Sequence, residues 1–138
     1  MKATAILSLF LTAFLTAKAK TDSPVHLFVL SGQSNMQGMD PETSFMPEAK
    51  KLFKDEKVVY IKVEKGGKPI CRWLEGWQDI AQKNGLDENH IKSIHKGGKV
   101  EFYQPILDKH KEMLKKHSKQ ASVTFCWMQG ETDTQAPD

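Results

Sequence analysis

The sequence predicts an α/β fold with a parallel sheet, and two observations support this class. Three runs of apolar and β-branched residues, at 25–30, 57–63 and 121–127, have the composition of buried strands. Helical segments separate these runs, most clearly at 101–117, where apolar side chains recur on one face. Strands that alternate with helices form parallel sheets with right-handed crossovers.

The first 19 residues are predicted to be a secretory signal peptide. Lys2 supplies the positive start, 5–15 is mostly apolar, and Ala17-Lys18-Ala19 is a small-x-small cleavage site. The apolar run is shorter than the roughly 20 residues of a membrane-spanning helix, although a retained anchor is the alternative. We therefore expect an exported protein, secreted or periplasmic, with one domain at 20–138 and no stable membrane anchor after cleavage.

Charge and cysteine content limit the possible partners. Removing Lys2 and Lys18 with the leader would lower the net charge from +3 to +1, which gives no reason to expect nucleic acid as a partner. Cys71 and Cys126 could pair in an exported chain or remain buried thiols. No Cys/His cluster has metal-ligand spacing, so we expect neither a metal nor a cofactor.

The segments between the strands differ in character. Residues 40–44 have the composition of a loop, and Pro47 opens a short predicted helix at 48–54 with Ala49, Leu52 and Phe53 on one face. Residues 79–99 are polar and contain glycines, which predicts an irregular segment with a short helix near 88–94. The helix at 101–117 is expected to pack on the sheet through Tyr103, Ile106, Leu107, His110, Met113 and Leu114.

A glycine-containing polar turn follows each predicted strand. These turns are Gly32-Gln33-Ser34-Asn35, Gly66-Gly67 and Gln129-Gly130-Glu131. Parallel strands place such turns together at the carboxyl edge, where open α/β sheets bind ligands. Acyl transfer needs a nucleophile and oxyanion donors. Ser34 can be the nucleophile, with the N–H groups of Ser34 and Gly67 and the amide of Gln129 as donors; the alternative is that Ser34 only caps a helix.

The same three turns carry a resemblance to a known family. Gly32 to Gly38, Gly66 to Ile70 with Trp73, and Trp127 to Asp133 resemble the three leading blocks of the sialate O-acetylesterase-type domain of the SGNH (GDSL-like) hydrolase superfamily. The resemblance spans 26–133. It implies a three-layer, flavodoxin-like α/β/α sandwich and a serine hydrolase that removes O-acetyl groups from carbohydrates without a metal or cofactor.

The resemblance assigns roles residue by residue. Ser34 matches the nucleophile, Gly67 a donor glycine, and Gln129 the oxyanion-hole side chain. The residues interpreted as substrate-binding or cleft-ordering are Gln33, Asn35, Arg72 and Glu131. Glu131 is expected to order the cleft by hydrogen bonds rather than act as a base, and Arg72 either contacts a sugar or acid group or forms a surface salt bridge. Trp73 and Trp77 are either packing residues or a platform for stacking a sugar.

One part of the family pattern is missing. The family's catalytic histidine and aspartate lie in a fourth block near the C-terminus, usually Asp-x-x-His. This sequence is expected to have no such block, because none of its histidines sits in a matching context. Losing the base of a serine triad lowers the rate by several orders of magnitude. We therefore expect the 138 residues to be nearly inactive and the natural protein to be longer. The alternative is a catalytically inactive carbohydrate-binding domain of the same fold. A phosphate-binding turn is disfavoured because both nucleotide-binding glycine motifs are absent.

Overall fold

Three parallel strands form the centre of the molecule. The structure is a computed structural model that describes residues 23–95 and 101–135, so the predicted signal peptide lies outside the described residues. The strands are β1 (Val25–Gly32), β2 (Lys57–Glu64) and β3 (Gln120–Met128), in the order β2-β1-β3. All eight residues of the central strand β1 are buried. The predicted α/β class with a parallel sheet is confirmed.

Five α-helices connect and cover the strands within the described residues. They are α1 (Ser34–Gly38), α2 (Met46–Phe53), α3 (Trp77–Lys83), α4 (Glu88–His95) and α5 (Tyr103–Lys116). A π-helical turn, Pro41–Phe45, leads into α2, and 3₁₀ turns occupy Ile70–Trp73 and Asp133–Gln135.

The core lies on both faces of the sheet because successive side chains of a strand point to opposite sides. On one face, Phe28 and Leu30 of β1 pack with Met46 and Ala49 of α2. On the other face the sheet contributes Leu27, Val29 and Ile61, against which Ile106 and Met113 of α5 pack. The alternation along β1 therefore fixes which helix covers which face.

The predicted helix at 101–117 is confirmed as α5, but its apolar face is only partly covered. Ile106 and Met113 pack against the core, whereas Tyr103 and Leu114 are exposed. The reason is that α5 packs over β2 and leaves β3 largely uncovered. An amphipathic pattern predicts that a face is apolar, and the tertiary arrangement decides how much of it is buried.

Three local predictions are wrong. Residues 40–44 are not an open loop, because 41–45 form the π-helical turn and the Asp40 carboxylate accepts the Glu42 N–H at 3.0 Å. The segment predicted as irregular contains α3 in addition to the expected short helix, which is confirmed as α4. Leu52 does not join Ala49 in the core, since it is 76% exposed.

Both cysteines are free thiols, so the alternative of a disulfide is excluded. Cys71 is buried and Cys126 is half-buried, and burial raises the pKa of each thiol. In the ranges that the structure describes, no helix combines the length and apolar character needed to cross a membrane.

Candidate functional site

The three glycine-containing turns meet at the carboxyl edge of the sheet. The register pairs Gly32 at the end of β1 with Glu64 of β2 and with Met128 of β3, so the turns begin at one level. Hydrogen bonds then join each turn to the other two, as described below. The edge that the sequence predicted as a ligand site is therefore a connected structure.

A carboxylate from the third turn holds the two residues that flank Ser34. Glu131 accepts hydrogen bonds from the side-chain amides of Gln33 and Asn35, and the Thr132 hydroxyl donates to the side-chain oxygen Oε1 of Gln33. The hydrogen bond from Gln33 is the largest cause that lowers the pKa of Glu131. An ionised carboxylate that accepts two amide donors orders the turn and is poorly suited to take up a proton.

Glycine at position 66 brings the second turn against Ser34. The Gly66 N–H donates to the Gln37 side-chain oxygen at 2.7 Å. A Cβ placed on Gly66 would lie 3.6 Å from the Ser34 Cβ and 2.7 Å from that oxygen of Gln37. A side chain at 66 would thus disturb the contact, and a glycine there lets the backbone approach the serine closely.

Asp133 and Gln129 join the second turn to the third. The Asp133 carboxylate accepts the Ile70 N–H at 3.0 Å. The Gln129 amide nitrogen donates to the Lys68 carbonyl oxygen at 2.8 Å and to the Asp133 carboxylate at 3.2 Å. These bonds fix the segment that follows Gly67 against the end of β3.

The residues predicted for the nucleophile and the oxyanion hole all lie in these turns. They differ in exposure and in hydrogen bonding. Ser34 is exposed and is the first residue of α1; the N-cap is Gln33, so the alternative that Ser34 caps the helix is wrong. Gly67 is exposed in the second turn with φ of 65°. Gln129 directs its amide N–H groups at Lys68 and Asp133, so an oxyanion role requires this amide to exchange partners.

A buried chain of hydrogen bonds links Trp73, which follows the second turn, to β1 and β2. The Trp73 indole N–H donates to the Ser31 hydroxyl at 2.9 Å, and that hydroxyl donates to the Val63 carbonyl oxygen at 2.7 Å. Trp73 also stacks on Phe102 with ring centroids 4.3 Å apart. Trp73 is therefore a packing residue; Trp77, the other candidate for sugar stacking, is half-buried in α3.

Arg72 lies in the core and not at the surface. Its side chain is buried, and one guanidinium nitrogen lies 3.4 Å from a Glu101 carboxylate oxygen. Its backbone carbonyl accepts the N–H groups of Glu101 and Phe102, at 2.9 and 3.3 Å. Arg72 therefore ties the 3₁₀ turn after Gly67 to the start of α5. Of the two alternatives for Arg72, the surface salt bridge is wrong, because the guanidinium that lies near Glu101 is buried, and contact with a sugar or acid group stays a prediction.

The histidine contacts that the structure describes lie away from Ser34. His26 at the start of β1 contacts Ser122 and Glu56, and His110 faces Gln120 at 3.3 Å. Asp87 and His90 do have Asp-x-x-His spacing, so the expectation that the sequence contains no such spacing is wrong. The His90 backbone N–H donates to the Asp87 carboxylate at 2.9 Å and its ring nitrogen lies 3.1 Å from it, which together lower the pKa of Asp87.

The Asp87–His90 contact has a structural explanation. Asp87 immediately precedes α4, and an aspartate that accepts the N–H three residues later is a helix cap. Helix α4 packs on α3 rather than on the turn that bears Ser34. The spacing alone could have identified the pair, but its contacts are those of a helix start.

Neither a metal site among the described residues nor a related protein gives further evidence of function. Within 23–95 and 101–135, no group of three or more His, Cys, Asp or Glu side chains could hold a metal ion. No protein-family model, curated protein or solved structure matches this chain. Its function must therefore be inferred from the three turns and their chemistry.

Proposed function

We propose that this protein is a serine hydrolase that removes O-acetyl groups from carbohydrates, with Ser34 as the nucleophile. The observation that carries the proposal is the position of Ser34: it is exposed at the carboxyl edge, between Gln33 and Asn35, which Glu131 holds from the third turn. A reactive group needs such support, because a nucleophile is effective only when its neighbours fix its geometry. The resemblance to the sialate O-acetylesterase-type domain supplies the reaction class and the finer fold, an SGNH α/β/α sandwich.

In the proposed reaction the Ser34 oxygen attacks the acetyl carbonyl carbon. The developing oxyanion accepts hydrogen bonds from the N–H groups of Ser34 and Gly67, which act most strongly where charge develops. The base is the histidine of the family's fourth block, expected beyond residue 138; it takes the serine proton and passes it to the departing sugar oxygen. Water then attacks the acetylated serine by the same route and releases acetate. Gln129 becomes a third donor if its amide leaves Lys68.

A second candidate function is carbohydrate binding without turnover. It is favoured by the histidines, since His26 and His110 are engaged at a distance from Ser34 and the His90 ring lies against Asp87. A serine without an adjacent imidazole is a weak nucleophile. The polar side chains of the three turns would still be able to bind sugar hydroxyl groups.

Covalent labelling separates the two functions. In the longer natural protein, expected to carry the fourth block, a fluorophosphonate probe should label Ser34, as located by peptide mass spectrometry, and acetate should be released from O-acetylated sugars. Ser34→Ala should abolish the release. Ser44→Ala is the matched control, because Ser44 is also exposed and its hydroxyl only donates to the Asp40 carbonyl oxygen, at 3.1 Å.

The outcomes are distinct. A folded longer protein that is not labelled at Ser34 and does not release acetate contradicts the hydrolase. If calorimetry then detects binding of an acetylated sugar that Asn35→Ala weakens, the binding function stands. If neither turnover nor binding is detected, both candidate functions are wrong.

A further inference from the structure

A second serine lies in a hydrogen-bonded chain with a histidine and a carboxylate, at the opposite end of the sheet from Ser34. The Nδ1 atom of His26 lies 2.8 Å from the Ser122 hydroxyl oxygen. The Nε2 atom of the same ring lies 2.7 Å from a carboxylate oxygen of Glu56. Ser122 is the residue of β3 that pairs with His26 of β1, and Glu56 directly precedes β2. Three separate segments thus contribute to the chain.

The Glu56 carboxylate determines which nitrogen of the neutral His26 ring carries the proton. An ionised carboxylate only accepts hydrogen bonds, so we assign the ring proton to Nε2, where it is donated to Glu56. Nδ1 then carries a lone pair and accepts the hydroxyl proton of Ser122. A base within hydrogen-bond reach of a serine, itself oriented by a third group, is the arrangement that activates a serine for acyl transfer.

The surroundings of the chain favour an apolar substrate. His26 is only 9% exposed, and the Phe53 ring lies against it with ring centroids 4.0 Å apart. Phe53 also lines a groove of about 450 Å³ on this face of the sheet, together with Phe28, Phe45 and Leu52. Ser122 is half-buried on β3, an edge strand of the described sheet, so it can be approached from outside.

We propose that Ser122 is a second acyl-accepting serine that takes esters with an apolar acyl chain. The Ser122 oxygen bonds to the carbonyl carbon while its proton passes to His26 Nδ1. The bond from that carbon to the departing alcohol then breaks, and the alcohol takes the proton from His26. Water attacks the acylated serine in the same way and releases the carboxylic acid. Glu56 stabilises the imidazolium, and the acyl chain occupies the groove beside Phe53. This inference does not depend on the function proposed for Ser34.

The test uses the full chain with Ser34→Ala, so that any labelled serine is a different one. We expect a fluorophosphonate probe to label Ser122, and p-nitrophenyl butyrate to be hydrolysed faster than p-nitrophenyl acetate. Both reactions should be lost with Ser122→Ala. Leu52→Asp should remove the preference for butyrate over acetate, because Leu52 lines the groove and is too exposed for its replacement to unfold the protein.

A separate measurement tests whether Glu56 positions the His26 ring. Its side chain is 58% exposed, so Glu56→Gln should leave the thermal unfolding unchanged while lowering the labelling rate by about tenfold or more. Glu56→Asp should restore most of the rate. Glu112→Gln on α5 is the matched control and should have no effect.

Either of two labelling results would overturn the proposal. One is a folded Ser34→Ala protein in which Ser122 stays unlabelled. The other is a labelling rate that Glu56→Gln does not change. Ser122→Cys gives an independent check in case serine labelling is slow: its thiol, beside His26, should react with iodoacetamide faster than Cys126, whose pKa is raised by burial. A thiol that reacts no faster than Cys126 also contradicts the proposal.

Discussion

At Gly32 the backbones of β1 and β3 approach so closely that no side chain fits. Its φ is 148°, and a Cβ there would overlap the carbonyl oxygen of Met128, which also accepts the Gln33 N–H at 2.9 Å. We expect Gly32→Ala to lower the free energy of unfolding by about 3 kcal/mol, measured by urea denaturation. Gly38→Ala is the control: apart from its chain neighbours and the backbone of α1, no atom lies within 4 Å of its Cβ position, so a change within about 0.5 kcal/mol is expected. Equal effects of the two substitutions would contradict this explanation.

Glu131 should make the stability of the site depend on pH. Its pKa is lowered from 4.5 in the folded protein, chiefly by the hydrogen bond from Gln33. A carboxyl whose folded pKa is depressed contributes stability above its ordinary pKa and loses that contribution as the pH falls through the folded value. The melting temperature of Glu131→Gln should therefore lie below that of the wild type at pH 7, and the difference should shrink towards pH 3.

Glu112→Gln is the matched control for this experiment, because Glu112 is exposed on α5. Its melting temperature should follow that of the wild type at each pH. A difference between Glu131→Gln and the wild type that stays constant from pH 7 to pH 3 would show that the carboxylate charge is not what holds the turn.

At the same scale, part of the site could be predicted from the sequence and part could not. That the three turns meet follows from parallel strands that each end in a glycine-containing polar segment. This could be predicted without knowing any side-chain contact. The orientation of the Gln129 amide could not be predicted. It is set by the carbonyl oxygen of Lys68, which lies 61 residues earlier in the chain and is brought there by the fold.

At the scale of elements, the strands and helices with a long and regular apolar pattern could be predicted from the sequence. Those with a weak pattern could not. The strands are runs of β-branched and apolar residues, and α5 repeats apolar residues over 14 positions. Helix α3 has seven residues, with only Trp77, Ile80 and Ala81 apolar, and it follows Gly76 in a left-handed conformation without a side-chain cap. Such a short helix lacks both a period and a start signal, so tertiary contacts decide whether it forms.

Helices α3 and α4 should open more readily than the sheet. They pack mainly on each other, and among their described side chains the buried apolar ones are Ala81 and Ile91, whereas every residue of β1 is buried between two strands. Local stability follows the amount of buried contact. In native-state hydrogen exchange, we expect the amides of 80–92 to exchange at least tenfold faster than those of 27–31, a difference of about 1.4 kcal/mol or more in opening free energy. Equal protection of the two segments would contradict this division.

At the scale of the whole molecule, the apolar surface is distributed unevenly. Helix α5 covers the β2 side of one sheet face, and on the β3 side Val123, Phe125 and Trp127 remain exposed. The Phe125 and Trp127 rings stack on each other at 5.5 Å, which makes the exposed surface continuous. A continuous apolar patch of this kind is expected to bind apolar dyes.

The dye 1-anilinonaphthalene-8-sulfonate should therefore bind the folded protein at this patch. Phe125 is 54% exposed, so Phe125→Ser removes apolar surface from the patch while changing the free energy of unfolding by about 1 kcal/mol or less. We expect the dye fluorescence to fall with Phe125→Ser and to stay unchanged with Leu74→Ser, a control at an exposed leucine on the chain between the 3₁₀ turn and α3. Dye binding that is insensitive to Phe125 would place the apolar surface elsewhere. A large loss of stability in the same variant would mean that the β3 side of the sheet is covered in solution, since only a buried phenylalanine is costly to replace.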